Sequence, residues 1–137
     1  MSVSGLITIE SSRGPEETVR RLVAGIEAKG LTVFARIDHA AGAAETGLAL
    51  RPTEVLIFGN ARGGTPLMQA EQLTGIDLPL KALVYEDAAG EVWLAYNNPS
   101  WIAQRHGVGD STTPVVQALS NVLEALAAGA VKALTTI

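Results

Sequence analysis

The sequence predicts a single α+β domain over residues 1–137, built as two layers with a mixed or antiparallel sheet of about five strands against helices. The element order is β-α-β-β-β-β-α. Three observations carry that expectation. Five short runs are strand-like, either alternating or continuously apolar. Two longer stretches, one near each end, have apolar residues at helical spacing. The fourth and fifth strands are joined by a tight turn, which demands antiparallel neighbours and argues against a doubly wound parallel sheet. At 137 residues, with 47% hydrophobic and 18% charged, the chain can bury one sizeable core.

Leu6 to Glu10 reads as the first strand. Gly14-Pro15-Glu16-Glu17 then opens a helix, with proline at its first position and two carboxylates in the positive first turn. Val19, Leu22, Val23 and Ile26 make its buried stripe, and Lys29-Gly30 closes it. Leu31 to Asp38 alternates, which places Leu31, Val33, Ala35 and Ile37 on one side. The small-residue run from Ala40 to Glu45 suits one or two helical turns, and Thr53 to Phe58 reads as a central strand. Leu80–Glu86 and Val92–Asn97 flank Asp87-Ala88-Ala89-Gly90 as a hairpin, which sets Tyr85 near Trp93. Asn98-Pro99 opens a short helix that stops before Gly107. A last helix over about 114–134 carries Val115, Val116, Leu119, Val122, Leu123 and Leu126. Glu124 is the one charge between Val115 and Val131, so this helix is expected to be covered on more than one side, a partner subunit supplying the second cover.

Composition removes several function classes. The absence of cysteine excludes disulfides, thiolate catalysis and cysteine zinc sites. A net charge of −4 with scattered basic residues speaks against nucleic acid and gives no attraction to anionic membranes. The N-terminal residues lack a basic and apolar leader pattern, and Gln117, Asn121 and Glu124 interrupt the most apolar stretch. A cytoplasmic location and no membrane partner are therefore expected.

The segment from Val55 to Met68 is the most informative. An apolar strand runs into Gly59-Asn60-Ala61-Arg62-Gly63-Gly64, and Thr65-Pro66 reads as the start of the next helix. The outer glycines have P-loop spacing. Thr65-Pro66 stands where a phosphate loop needs lysine and a hydroxyl, so nucleotide hydrolysis is excluded. The loop amides with Arg62 and Thr65 remain suited to a carboxylate or a single phosphate; the plainer reading is a tight turn capped by Thr65. Asp38-His39 ends the second strand, where His39 is the candidate general acid or base. The alternative is a surface histidine. Asn60, Tyr96 and Asn97 follow or end apolar strands, where the two asparagines would meet across a cleft; equally, Asn60 would tie the glycine loop and Asn97 would lead the Asn98-Pro99 turn.

Only His39 and His106 are histidines, too few for a zinc centre, and the helix dipole alone accounts for His106. There is no nucleophile elbow, so Ser100 and Ser111 read as turn or cap residues. No cofactor or metal is expected.

Several blocks in order, Asp38-His39, Leu56-Ile57-Phe58-Gly59-Asn60, Gly64-Thr65-Pro66-Leu67-Met68, Asp77-Leu78-Pro79-Leu80-Lys81, Val84-Tyr85-Glu86-Asp87 and Trp93-Leu94-Ala95-Tyr96-Asn97, resemble the domain of unknown function 302 family from Gly5 to about Gly107. The family's usual Gly-Asn-Pro stands here as Gly59-Asn60-Ala61, which frees one backbone donor. The resemblance implies an α+β domain with a tendency to homodimers and no established activity.

The functional expectation is a homodimeric, non-catalytic binding module for a small polar or anionic molecule, held by Asp38, Asn60, Arg62, Gly63, Gly64, Thr65, Tyr96 and Asn97. The rivals are a small-metabolite hydrolase or isomerase using His39, and an assembly protein acting through its final helix. The ligand and enzyme readings require that Asp38-His39 and the glycine segment open onto one hollow.

Overall fold

The computed structural model describes residues 3–132. Residues 133 and 134 of the expected last helix lie outside that range. Five strands, β1 (Leu6–Ser11), β2 (Thr32–Asp38), β3 (Thr53–Gly59), β4 (Leu80–Glu86) and β5 (Val92–Asn97), form one sheet in the order β1-β5-β4-β3-β2. Every pairing is antiparallel. Helices α1 (Pro15–Ala28), α3 (Ala61–Ala70), α4 (Pro99–His106) and α5 (Thr113–Val131) accompany it, with the two-turn α2 (His39–Glu45) after β2.

The two long helices begin where proline pre-sets the backbone, and α1 ends at Lys29 before Gly30, whose φ is +73°. Val19, Leu22 and Ile26 of α1 pack with Leu123, Leu126 and Ala127 of α5 over Leu56, Phe58, Val84 and Leu94 of the sheet, all in one buried cluster. Thr18 is fully buried yet satisfied, its hydroxyl 2.7 Å from Ser11 Oγ and donating to the Gly14 carbonyl. In the hairpin Tyr85 is the direct partner of Trp93, and the Trp93 indole N–H donates to Asp87 at 2.9 Å.

Three expectations need correction. The alternation of β2 breaks at Phe34: Val33 pairs with Phe58, yet Ala35 already pairs with Ile57. This bulge sends Val33 toward the helices and Ala35 and Ile37 toward the opposite face, and leaves Phe34 more than half exposed. The glycine segment is not a loop before a helix at Thr65-Pro66. Helix α3 starts at Ala61 with Asn60 as its cap, Gly63 and Gly64 are helical, and Pro66 lies inside the helix. Asparagine capped the helix earlier than the Thr65-Pro66 signal suggested, because its side chain reaches the Gly63 amide at 2.7 Å. Finally, α5 buries one face only. Gln117, Asn121, Glu124 and Ala125 on its other face are exposed, so among the described residues the chain itself does not supply the second cover expected for this helix.

Candidate binding cleft

Four local features converge at one corner of the helical layer. Strand β3 ends at Gly59, whose φ of +146° suits glycine, and the chain turns into α3. The β2 bulge brings Phe34 to that turn. The segment before β4 brings Leu78 and Pro79, and α5 passes above with Ala118, Leu119 and Val122. Between them is a cleft of about 400 Å³, within the range of small-molecule sites.

Its floor depends on missing side chains. Gly64 is helical, and a Cβ there would meet Leu78 Cδ1 at 3.5 Å and Met68 Cε at 3.8 Å, ordinary contacts. Gly63 is tighter, with Asn60 Oδ1 at 3.2 Å from the position of its Cβ. Helical glycine is less stable than alanine by roughly 1 kcal/mol, so sterics alone do not require glycine at position 64. Leaving out that methyl keeps the cleft open.

The walls, Leu31, Phe34, Met68, Leu78 and Leu119, are apolar. Polarity is confined to Asn60 and the first turn of α3. There Gly63 and Gly64 donate back to Asn60, whereas Ala61 and Arg62, at the helix start, have no backbone acceptor among the described residues. The positive end of the α3 dipole thus lies at the edge of an apolar hollow.

The other expected site residues lie elsewhere. Arg62 and Thr65 are exposed on α3 and do not line the cleft. Asp38 caps α2 by accepting from the Ala41 amide at 2.9 Å, and it pairs with Glu54 at the start of β3. Asn60 follows the other end of that strand, roughly 20 Å away at about 3.3 Å per residue. His39 is exposed and lines none of the described clefts. The common hollow required for Asp38, His39 and the glycine segment is therefore absent, because β2 and β3 run antiparallel. Tyr96 points into the core at 6% exposure, and Asn97 turns to the opposite face. They do not meet Asn60 across a cleft.

Sequence reading missed one polar cluster. Asp77 accepts both bonds of the Arg105 guanidinium, at 2.8 and 2.9 Å, and lies 2.6 Å from His106 Nε2. Arg105 also stacks 5.7 Å from the Trp101 ring centroid. These contacts tie the segment before β4 to the end of α4. Helix-dipole reasoning could not reveal them across 28 and 29 residues of sequence. The perturbed acids are also outside the cleft. Hydrogen bonds from Arg20 and Arg21 bring the Glu17 carboxyl down to about 2. The Trp93 indole, with the Glu91 and Ala89 amides, lowers Asp87. A shared hydrogen bond with Glu10 raises Glu91. Burial, and then the Glu124 charge, raise Tyr96.

The family described as "Domain of unknown function DUF302" matches residues 7–126, most of the chain, from the second residue of β1 through the other four strands. The chain is a DUF302 protein. A crystal structure of an uncharacterized DUF302 protein from Bacillus stearothermophilus superposes on this DUF302 chain with a TM-score of 0.82 at 20% identity. That likeness covers 95% of this chain and all of the other, and it establishes the shared α+β architecture. Over 116 residues, 85% of its length, the chain is 49% identical to a Brucella suis protein named "Fluoride-specific ion channel FluC 1". It is equally similar to the Brucella melitensis protein named "Fluoride-specific ion channel FluC 2". The match spans 46% and 43% of those relatives, less than half of either. Among the described residues one helix, Asp110–Val131, is long and apolar enough to cross a membrane by length and composition; it packs against α1 and α4.

Proposed function

We propose that this DUF302 domain is a non-catalytic binding module. Its ligand is a small molecule with an apolar body and one polar or anionic group. The body lies against Phe34, Met68, Leu78 and Leu119, and the head meets the first turn of α3 near Asn60. The observation that carries this reading is the pair of helical glycines, Gly63 and Gly64, at the floor of the cleft. Gly64 sacrifices helix stability at a position where alanine fits. Compared with the expectation of a small polar or anionic ligand, the apolar walls shift the chemistry toward an amphipathic one, such as a medium-length carboxylate.

Thermal shifts with straight-chain carboxylates from butanoate to decanoate test this. Stabilisation should grow with chain length until the cleft is filled, and it should vanish in Gly64→Leu, which occupies the floor. No stabilisation at millimolar ligand, or equal stabilisation of Gly64→Leu, would overturn the reading.

A second reading rests on the Brucella relatives. There the segment similar to this chain is joined to a further segment of similar length, in proteins named as fluoride channels. In this reading the domain is an accessory that adjusts an anion channel. Fluoride efflux from vesicles holding such a relative should change when the segment similar to this chain is deleted; unchanged efflux would dismiss the idea.

A further inference from the structure

The cleft opens at an edge of the sheet, and that edge is free. Strand β2 is last in the sheet order and is hydrogen-bonded to β3 alone. Among the described residues no other main-chain group bonds to its backbone, and none of its residues is buried. Such an edge presents a row of unpaired N–H and C=O groups, to which an extended peptide adds as a further strand. Leu31, just before β2, and Phe34, at its bulge, also line the cleft. The hollow and the free edge are therefore one continuous surface.

The register decides which end of an added strand reaches the hollow. Thr32 pairs with Gly59, so β2 begins where β3 gives way to Asn60 and α3. A strand added antiparallel to β2 arrives there with its carboxyl end, and a parallel one with its amino end. The Ala61 and Arg62 amides, which have no backbone acceptor among the described residues, lie at that end with the positive pole of α3. They favour a carboxylate over an ammonium group.

We propose that the cleft receives the C-terminal end of a partner polypeptide whose last residue is a bulky aliphatic one. The inference rests on the binding reading above and narrows its ligand. Such a chain end has the apolar body and the anionic head of that reading, and it adds a backbone that the free edge holds. The peptide lies about 4.8 Å outside β2. Its last two residues, with a reach of about 7 Å, leave the edge and cross past Leu31. The final side chain then enters between Phe34, Met68, Leu78 and Leu119, and the carboxylate meets the first turn of α3. The bulge at Phe34 bends the edge and breaks its regular spacing, so the paired stretch is short. A chain terminus fits there, whereas a long flat strand of a folded protein does not.

Calorimetric titration of the full chain with an N-acetylated hexapeptide ending in leucine, its carboxylate free, tests the proposal. Binding should saturate, and octanoate should displace the peptide. The C-terminal amide should bind about tenfold more weakly. The same peptide ending in glycine should bind about 10–100-fold more weakly, the loss expected when a leucine side chain no longer fills an apolar site. Methylating the peptide amides one at a time should weaken binding at alternate positions, where the N–H faces β2. Amide NMR shifts caused by the peptide should extend along Thr32 to Arg36, while those caused by octanoate stay in the cleft. Octanoate binding without peptide binding overturns this inference and leaves the ligand reading standing; binding of neither overturns both. Equal affinity of acid and amide, peptide that octanoate does not displace, or β2 amides unmoved by the peptide also overturns it.

Discussion

Replacing Gly64 with alanine should stabilise the protein, an outcome opposite to that expected for a glycine holding a turn. Gly64 lies in α3, and its φ is not positive. The substitution therefore gains helix propensity of roughly 0.8–1.0 kcal/mol. The new methyl meets Leu78 Cδ1 at 3.5 Å and Met68 Cε at 3.8 Å, so no steric cost offsets that gain. A net stabilisation of about 0.5–1 kcal/mol follows, equivalent to a rise of about 2–5 °C in Tm for a chain of this size. Gly63→Ala is the internal control: its Cβ lies 3.2 Å from Asn60 Oδ1, so the cap must yield and the gain should shrink toward zero. Urea unfolding followed by far-UV circular dichroism measures both. Destabilisation of Gly64→Ala by more than about 1 kcal/mol would refute the helical assignment, and with it the argument that glycine is kept there for the cleft.

Other outcomes follow from the same structure. Gly5→Ala should cost about 2–4 kcal/mol, because φ is +78° and the Cβ would fall 2.3 Å from Trp101 Cγ; Gly30→Ala, at φ +73° with open space around it, should cost only about 1 kcal/mol. Equal losses in urea melts would contradict the Trp101 packing. Asp77→Ala strands Arg105 and the nearly buried His106, and should lower stability by about 2 kcal/mol, whereas Asp38→Ala, the loss of an exposed cap, should cost about 1 kcal/mol. The Glu17 carboxyl is lowered from 4.5 to about 2 by Arg20 and Arg21, so its contribution is present above pH 4.5 and is lost as pH falls toward 2. Glu17→Gln should flatten the acid limb of urea midpoint against pH; an unchanged limb would contradict the pairing. Tyr96, raised above 10.0 chiefly by burial, favours the folded state below pH 10 and ceases to do so as pH climbs further. Tyr96→Phe should therefore soften alkaline unfolding.

The sheet was readable in the chain because its signals are local. Apolar runs, the Asp87–Gly90 turn, and Pro15 and Pro114 at helix starts each act within a few residues, and the family blocks follow the same elements. The site was less readable because it is made of relations between elements. Phe34 reaches the cleft through a bulge, invisible in a run that alternates cleanly on paper. Thr65-Pro66 looked like a helix start, yet Asn60 had already capped the helix. Asp38-His39 and Gly59-Asn60 both stand at strand ends, and only the antiparallel pairing of β2 with β3 shows that these are opposite ends. Nothing local in the sequence pairs Asp77 with His106 across 29 residues.

The central claim is that the hollow beside Gly63 and Gly64 receives an amphipathic ligand. Backbone amide NMR during titration with octanoate tests it most directly. The account predicts saturable shifts at Asn60, Ala61, Gly63, Gly64 and Leu78, with Asp38 to Ala41 unmoved. Shifts scattered over the surface, or centred on Asp38 to Ala41, would contradict it.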